Sequence, residues 1–235
     1  LGIMVGLRGF LNGMQATLRE SIILGQTGAL QVHRKGFLKS VNTSSLDLDL
    51  PADEAFMARI LSVKGVKAAT ARITFGGMAN ANDTSTVALF SAIDPQREIV
   101  VCPRRLEMIS SVKTLDHGGP ASGIFTPELA ANLGIQLGQR ATLLINDKEG
   151  VMNALDLDFI GVYGQPGLPL PEKKIGYVPL AYAQELLRMP GRATEIAVAI
   201  HQLDDAARLK PVLQEALGPE YEVVTWLDVA ASIEE

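Results

Sequence analysis

Several residue types that build active sites or covalent frameworks are scarce in this sequence of 235 residues. A single cysteine, Cys102, excludes an internal disulfide framework and any zinc site built from several thiolates. The histidines, His33, His117 and His201, never stand four residues apart, which excludes a zinc-binding H-E-x-x-H helix. A Walker A phosphate loop and a G-x-S-x-G nucleophile elbow are also missing. The sequence therefore predicts no catalytic residue, no cofactor and no metal site.

Long apolar runs and concentrated positive charge are missing as well. No run reaches the roughly 18 to 20 apolar residues that span a bilayer, and no signal peptide is evident. The formal net charge is -5, which argues against a nucleic-acid-binding protein. We interpret the basic pairs Arg104–Arg105 and Lys173–Lys174 as solvated edges. A content of 47% hydrophobic and 20% charged residues is typical of a globular domain.

Both ends of the sequence carry helical patterns. Residues 1–26 combine apolar residues at helical spacing with small-xxx-small glycine pairs, which suit close packing of membrane helices better than a free helix. We predict that residues 1–26 form a stalk that continues a transmembrane helix; an ordinary amphipathic helix is the alternative. Residues 227–235 are predicted to start a second stalk near Asp228. The four glycines are Gly2, Gly6, Gly9 and Gly13.

Between the ends, strand and helix patterns predict an α+β fold of two subdomains. Residues 27–95 and 192–226 each carry strand–helix–strand patterns and are predicted to form one discontinuous subdomain with a split βαβ layer. Residues 76–83 are predicted to be a turn region between two of its strands. Residues 96–191 are predicted to form an inserted, β-rich subdomain.

The remaining polar candidates have simple structural interpretations. Acidic residues around a helix start favour the helix dipole, so a calcium site is the less favoured reading of the cluster Asp47, Asp49, Asp53 and Glu54. Cys102 is interpreted as a small apolar residue at the end of a strand. His33 and His201 are expected to be solvated or hydrogen-bonded at strand ends, and His117 to lie in a loop.

An ordered series of segments resembles the periplasmic core domain of FtsX-like and MacB-like ABC transporter permeases, which include the lipoprotein-releasing Lol permeases. The series begins at the exit of the first helix and covers essentially the whole chain. Gln139 and Arg140 depart from the pattern, because relatives commonly have an acidic residue there. The segments are GLRGFLNGMQATLRESIILGQTGALQVHRKG, ALFSAIDPQRE, GIFTPELAANLGIQLGQRATLLI, FIGVY and IGYVPLAYAQELL.

The resemblance implies a domain that transmits ATP-driven motion from membrane helices to a substrate or partner, in lipoprotein or lipid release or in efflux. It also implies a Porter-like subdomain (27–95 and 192–226), an inserted Sabre-like subdomain (96–191), and an inner-membrane protein whose domain lies in the periplasm. The implied partners are a cytoplasmic ATPase subunit, a second permease copy or paralogue, and a periplasmic protein or lipid-linked substrate. The chain itself is then not an enzyme.

One loop stands out as a candidate partner contact. Leucines among prolines expose apolar surface on a stiff backbone, which lowers the entropy cost of docking. The alternative for this loop is that it folds onto its own domain. An alternative for the whole chain is a stand-alone module that binds a ligand in the cleft between the subdomains. The candidate loop residues are Gly167, Leu168, Pro169, Leu170 and Pro171.

Overall fold

A computed structural model describes residues 20–39, 46–107, 115, 119–164 and 174–233 of the chain. Its α-helices are α1 (Glu54–Leu61), α2 (Pro95–Val101), α3 (Pro103–Glu107), α4 (Pro127–Leu133), α5 (Leu180–Leu186), α6 (Ala206–Leu217) and α7 (Trp226–Ile233). Its strands are β1 (Leu30–Arg34), β2 (Leu50–Pro51), β3 (Val66–Ala81), β4 (Thr84–Ile93), β5 (Ser122–Phe125), β6 (Arg140–Asn146), β7 (Met152–Val162), β8 (Ile175–Pro179), β9 (Arg192–Ala193), β10 (Glu195–Ile200) and β11 (Tyr221–Thr225). Residues 20–22 are helical and lead into a π-helical turn, Ile23–Thr27.

The nine-stranded sheet has two parts that share β3. The first part, which we call the layer, has the strand order β11-β1-β10-β3 and uses the first half of β3. Helices α1 and α6 pack together over one face of the layer, and α2 lies against β3 and β10. Ile196 and Val198 of β10 belong to the main core, whereas Ala197 and Ala199 lie with Val101 and Cys102 at α2. Alternate residues of a strand point to opposite faces, so α2 covers the face opposite α1 and α6.

The second part, which we call the ring, closes on itself. The order continues β3-β4-β8-β5-β7-β6, and β6 pairs back with the second half of β3 through Met78–Leu144 and Asn80–Thr142. Closure removes the free strand edges of this part. Stacked phenylalanine rings fill the interior, with centroids 5.4 Å apart for Phe75–Phe90 and 5.0 Å apart for Phe125–Phe159.

The turn region predicted at residues 76–83 is wrong, because β3 runs unbroken to Ala81. Chain reversal takes only Asn82 and Asp83, whose φ angles of 47° and 62° suit a two-residue hairpin turn. A Cβ on Gly77 would lie 2.6 Å from Cγ2 of Ile145, so glycine permits the close approach of β6. Gly77 is therefore a packing feature of a strand rather than a turn residue.

Side-chain caps and helix-start residues fix the beginnings of several helices. Asp53 caps α1 by accepting a hydrogen bond from the backbone N–H of Phe56 at 2.8 Å. Pro127 opens α4, which ends at Gly134 in the left-handed conformation, with φ of 59°. The helical pattern predicted near the end of the chain is α7.

One hydrophobic core extends through the layer and the ring. It joins Leu30 of β1 and Leu213 of α6 to Phe90 and Phe159 inside the ring. Strand β4 pairs with β3 and with β8, so it is part of the ring. The predicted subdomain boundaries at residues 95 and 192 stay predictions. Most of the predicted first stalk lies outside the described residues, and no helix within the described part is long and apolar enough to cross a membrane.

Candidate functional site

Charged side chains are buried where the helical segment of residues 20–27, which we call the first helix, meets the layer. Arg72 is 3% exposed, Arg105 is 6% exposed, and Glu98 and Cys102 are fully buried. Glu195 lies beside them with a side chain 13% exposed. We call these five residues the junction cluster. Charged residues are rarely buried unless they are paired, so the contacts of each one matter.

Four separate elements, β3, β10, α2 and α3, bring the junction cluster together. Arg72 lies on β3 and pairs with Glu195 of β10 in the ladder, which places both on the face under α2. Asp94 caps α2 by accepting hydrogen bonds from the N–H groups of Gln96 and Arg97, and Pro95 sets the first turn. The capped helix then directs Glu98 inward.

The guanidinium group of Arg72 uses all three of its nitrogens. Nε and Nη2 donate to the two carboxylate oxygens of Glu98 at 3.1 and 2.7 Å, a bidentate pair. Nη1 donates to the Glu195 carboxylate at 2.7 Å and to the carbonyl oxygen of Gln26 at 2.9 Å. Nη2 also lies 3.0 Å from Sγ of Cys102. Arg72 therefore ties the sheet to α2 and to the first helix.

Arg105 reaches the same helix end from α3. Its Nε donates to the carbonyl of Gly25 at 3.3 Å, and its Nη2 donates to the carbonyl of Gln26. Its Nη1 lies 3.2 Å from Oε1 of Glu98, an ion pair rather than a well-directed hydrogen bond. Its guanidinium carbon lies 5.8 Å from the ring centroid of Tyr177 on β8. Arg105 thus links the helix end to the ring.

The acceptors of these contacts are the last carbonyl groups of the first helix. Such carbonyls have no partner within a helix, and cations near them also complement the helix dipole. The Cys102 thiol lies 3.4 Å from the carbonyl of Ile23, which also accepts the N–H of Gly28 at 2.9 Å. Gly28, with φ of 74°, lets the chain turn into β1 next to Val198. The helix end is therefore held by the core on its carbonyl side.

The charges of the junction cluster balance, with two guanidinium groups against two carboxylates. Burial alone would raise the pKa of Glu98, but Arg72 and Arg105 hold that pKa below its usual value. Burial alone would lower the pKa of Arg72, but Glu98 and Glu195 raise it well above its usual value. Burial raises the pKa of the Cys102 thiol, which leaves it protonated and unreactive at neutral pH. The junction cluster therefore stabilises the contact between the first helix and the layer, and it provides no nucleophile.

A second ion pair fastens the short β2–β9 sheet to the ring. The carboxylate of Asp49, which is 3% exposed, accepts from Arg192 and from Lys148 in the β6–β7 turn. Burial would raise the pKa of Asp49, but the hydrogen bonds from Arg192 and Lys148 lower it. Within the acidic cluster seen in the sequence, Asp49 is thus paired with cations and Asp53 is a helix cap.

Two interpretations of this region from the sequence need correction. Arg105 is buried, although the Arg104–Arg105 pair was expected to be a solvated edge; only Arg104 fits that expectation, with its side chain 43% exposed. Cys102 follows helix α2 instead of ending a strand. Neither the burial of Arg105 nor the position of Cys102 could be predicted from neighbouring residues. The carbonyl partners of Arg105, for example, lie about 80 positions earlier in the chain.

The other candidates are scattered. His33 is buried, its ring nitrogens 3.1 Å from the carbonyl of Thr194 and from Oε1 of Gln31, whereas His201 is exposed. Burial lowers the pKa of His33. His117 and the loop Gly167–Pro171 lie outside the described residues. Within the described residues no group of three or more His, Cys, Asp or Glu side chains could hold a metal ion.

Comparisons with known proteins point to one fold. No family model and no curated protein matches the chain. The extracellular domain of the noncanonic ABC-type transporter YknZ from Gram-positive bacteria matches with a TM-score of 0.55 at 14% identity, over 85% of this chain and 100% of that one. The periplasmic region of MacB from Actinobacillus actinomycetemcomitans matches with a TM-score of 0.56 at 16% identity, over 92% of this chain and 97% of that one. The chain therefore has the mixed α/β fold of these transporter domains, and the predicted resemblance is confirmed at the level of the fold.

Proposed function

We propose that this chain is the extracytoplasmic domain of an ABC transporter permease and that it passes ATP-driven motion from membrane helices to a substrate or partner outside the membrane. The proposal rests on the hydrogen bonds that Arg72 and Arg105 donate to the last carbonyl groups of the first helix. A helix held in this way moves together with the layer and the ring. The likeness of fold to transporter domains supports the same role.

The positions of the two end helices support this proposal. Helix α7 follows β11, which pairs with β1, and α7 contacts the turn Ile23–Thr27. The chain thus enters and leaves the layer through neighbouring helices. That arrangement suits a domain inserted between two membrane helices, with residues 1–26 and 227–235 as stalks.

The remaining parts of the proposal follow from the transporter role. ATP hydrolysis takes place on a separate cytoplasmic subunit, since the sequence lacks a Walker A loop. The permease works with a second copy or a paralogue in the inner membrane, and this domain lies in the periplasm. The transporter uses this motion to release lipoproteins or lipids from the membrane or to drive efflux. The Porter-like subdomain is residues 27–95 and 192–226, which includes the layer and also β4 of the ring, and the Sabre-like subdomain is residues 96–191.

The loop Gly167–Pro171 is part of the same proposal as a contact for a periplasmic partner. Its residues come between β7 and β8 in the chain, and the guanidinium group of Arg105 lies over the ring of Tyr177 on β8. Deleting Leu168 to Leu170 should abolish transport without changing expression. Unaltered transport after this deletion would exclude the contact.

The test of the transmitted motion uses the full-length permease with its ATPase in lipid nanodiscs. A dye on Val212→Cys, an exposed position of α6, serves as donor to an acceptor dye on lipid head groups. Binding of ATP should change the energy transfer, because the core moves relative to the membrane. Glu98→Gln should reduce this change while the rate of ATP hydrolysis persists.

The control is Asp158→Asn, which removes an exposed ion pair with Arg140 far from the first helix. This variant should behave like the unmodified permease. Energy transfer that does not respond to ATP in the unmodified permease would contradict the proposal and would instead fit a module that only binds a ligand.

A further inference from the structure

The outer face of the ring carries an exposed apolar row that crosses four strands. Val87 of β4 lies opposite Met78 of β3, Met78 lies opposite Leu144 of β6, and Leu144 lies opposite Ala154 of β7. Residues directly opposite each other in a sheet share a face. Val87 is 70% exposed and Met78 is 42% exposed. This row therefore presents apolar surface to solvent.

The neighbouring row on one side is apolar at both of its ends. Leu89 on β4 is 42% exposed and lies opposite Gly76, which has no side chain. Met152 on β7 is 72% exposed and lies opposite Asn146. The two rows together hold four exposed apolar side chains, interrupted by Asn146, which is more than the scattered single apolar residues that are normal on protein surfaces.

The neighbouring row on the other side is polar and lines an open groove of about 480 Å³. The hydroxyl of Thr142 donates to the carboxylate of Asp156 at 2.7 Å. Asp83, in the turn between β3 and β4, closes the end of this groove. The row contains Ser85, Asn80, Thr142 and Asp156.

The groove has an excess of negative charge. Arg140 also lines the groove beside the two carboxylates of Asp83 and Asp156, but it pairs with Asp158 at 3.3 Å. No described cation forms an ion pair with Asp83 or Asp156. The groove therefore offers acceptors and negative charge that a cationic side chain would satisfy.

The dimensions of this face fit a helix. Six strands close the ring, so only neighbouring strands face the same way. Three of them, β4, β3 and β6, span about 10 Å at a spacing of about 4.8 Å, which is about the diameter of a helix with its side chains. Rows two residues apart on a strand are separated by about 6.8 Å, within reach of a lysine or arginine that flanks an apolar helix face. Packing of helices on sheet faces is a standard layer arrangement.

We propose that the outer face of the ring docks an amphipathic helix of a partner protein, with its apolar side on Val87, Met78 and Leu144 and a flanking lysine or arginine in the groove beside Asp156. A second copy that met this face with its own copy of the same face would bring the same negative groove and no complementary charge. An anionic membrane surface would be repelled by Asp83 and Asp156. The proposal does not depend on a role in transport.

The test uses two fluorescent synthetic peptides and the chain as given, residues 1–235. Both peptides are fourteen-residue helices with leucines at helical spacing; one carries flanking lysines and the other flanking glutamates. Fluorescence anisotropy at low and at physiological salt measures binding. We expect the lysine peptide to bind about tenfold tighter than the glutamate peptide and to lose part of this advantage in salt.

Two pairs of variants locate the binding. Val87→Ser should weaken binding of the lysine peptide about fivefold, and Val212→Ser, the same change on exposed α6, should leave it unchanged. Asp156→Asn should weaken binding about twofold to threefold at low salt, and Glu215→Gln, an exposed acid on α6, should not. All four positions are partly or fully exposed, so the variants should fold.

Three outcomes would overturn the proposal. The first is equal binding of the two peptides, and the second is equal loss in Val87→Ser and Val212→Ser. The third is that Val87→Ser abolishes self-association or binding to anionic vesicles while leaving the affinity for the lysine peptide unchanged. That result would assign this face to a second copy or to a membrane.

Discussion

Replacing Glu98 with glutamine keeps the shape of the side chain and removes the charge that lies between Arg72 and Arg105. Glu98 is fully buried and lies 2.7 Å from Arg72 and 3.2 Å from Arg105. Without this carboxylate, two buried guanidinium groups have only Glu195 to balance them. The variant therefore creates an uncompensated buried charge.

The cost can be worked out from the burial. Removing one partner of a buried ion pair costs about 3 to 5 kcal/mol. The amide oxygen of glutamine still accepts one hydrogen bond from Arg72, so we expect the lower end, about 3 kcal/mol. For a chain of this length, each kcal/mol lowers the melting temperature by about 2 to 4 °C. Glu98→Gln should therefore melt about 6 to 12 °C lower at neutral pH.

The pH dependence gives an independent check. The pKa of Glu98 in the folded chain lies below its usual value of 4.5, held there by Arg72 and Arg105 against the effect of burial. A carboxylate with a lowered pKa stabilises the fold above its unfolded pKa, and the contribution is lost as the pH falls through the folded value. The difference between the wild type and Glu98→Gln should thus be constant near neutral pH and shrink below about pH 4.5.

Urea unfolding followed by circular dichroism and by tryptophan fluorescence measures the effect. Trp226 is the only tryptophan and opens α7, which contacts the turn Ile23–Thr27, so its emission reports on the contact between the first helix and the layer. Asp158→Asn, at an exposed pair, should cost less than about 1 kcal/mol. A loss in Glu98→Gln no greater than in Asp158→Asn would refute the reasoning.

Three further changes test other parts of the fold. Gly176→Ala should lose about 2 kcal/mol of unfolding free energy in urea titrations, because its Cβ would lie 2.6 Å from the ring of Phe90, whereas Gly25→Ala, which meets nothing within 4 Å, should not. Burial lowers the pKa of His33 from its usual 6.5, so wild-type stability should fall below pH 6.5, where the unfolded chain binds the proton more readily; His33→Gln should lack this component of the pH profile. Asp53→Ala should cost about 1 kcal/mol through the lost helix cap, and an unchanged melting temperature would contradict that role.

Elements whose signals are local could be predicted from the sequence. Asp53 at the start of α1 and Pro127 at the start of α4 act through the next few residues, so the pattern alone locates both helices. The extent of β3 could not be predicted in this way. Gly77 resembles a turn residue locally, but its role is set by Ile145 and Leu144 on β6, which lies far along the chain.

The junction cluster was missed for the same reason. Arg105 follows another arginine, and such a pair is usually solvated. Here Arg105 is buried instead, and it donates hydrogen bonds to the carbonyls of Gly25 and Gln26. One signal was present: Arg72 interrupts the apolar run of β3, and a charge in a buried strand requires a partner. The identity of that partner, Glu98, depends on the register of α2 against the sheet, which no local pattern encodes.

The layer also constrains the order in which the parts of the molecule can fold. His33 of β1 meets Thr194 161 positions later in the chain, and both neighbours of β1, β10 and β11, are made last. Contacts between distant positions pay the entropy of closing long loops and slow folding. During synthesis both edges of β1 therefore stay unpaired until β10 and β11 have been made. A chain that stops before Tyr221 leaves one edge of β1 free to pair with other strands. The layer, which holds the first helix made during synthesis, is therefore the last part of the molecule to fold.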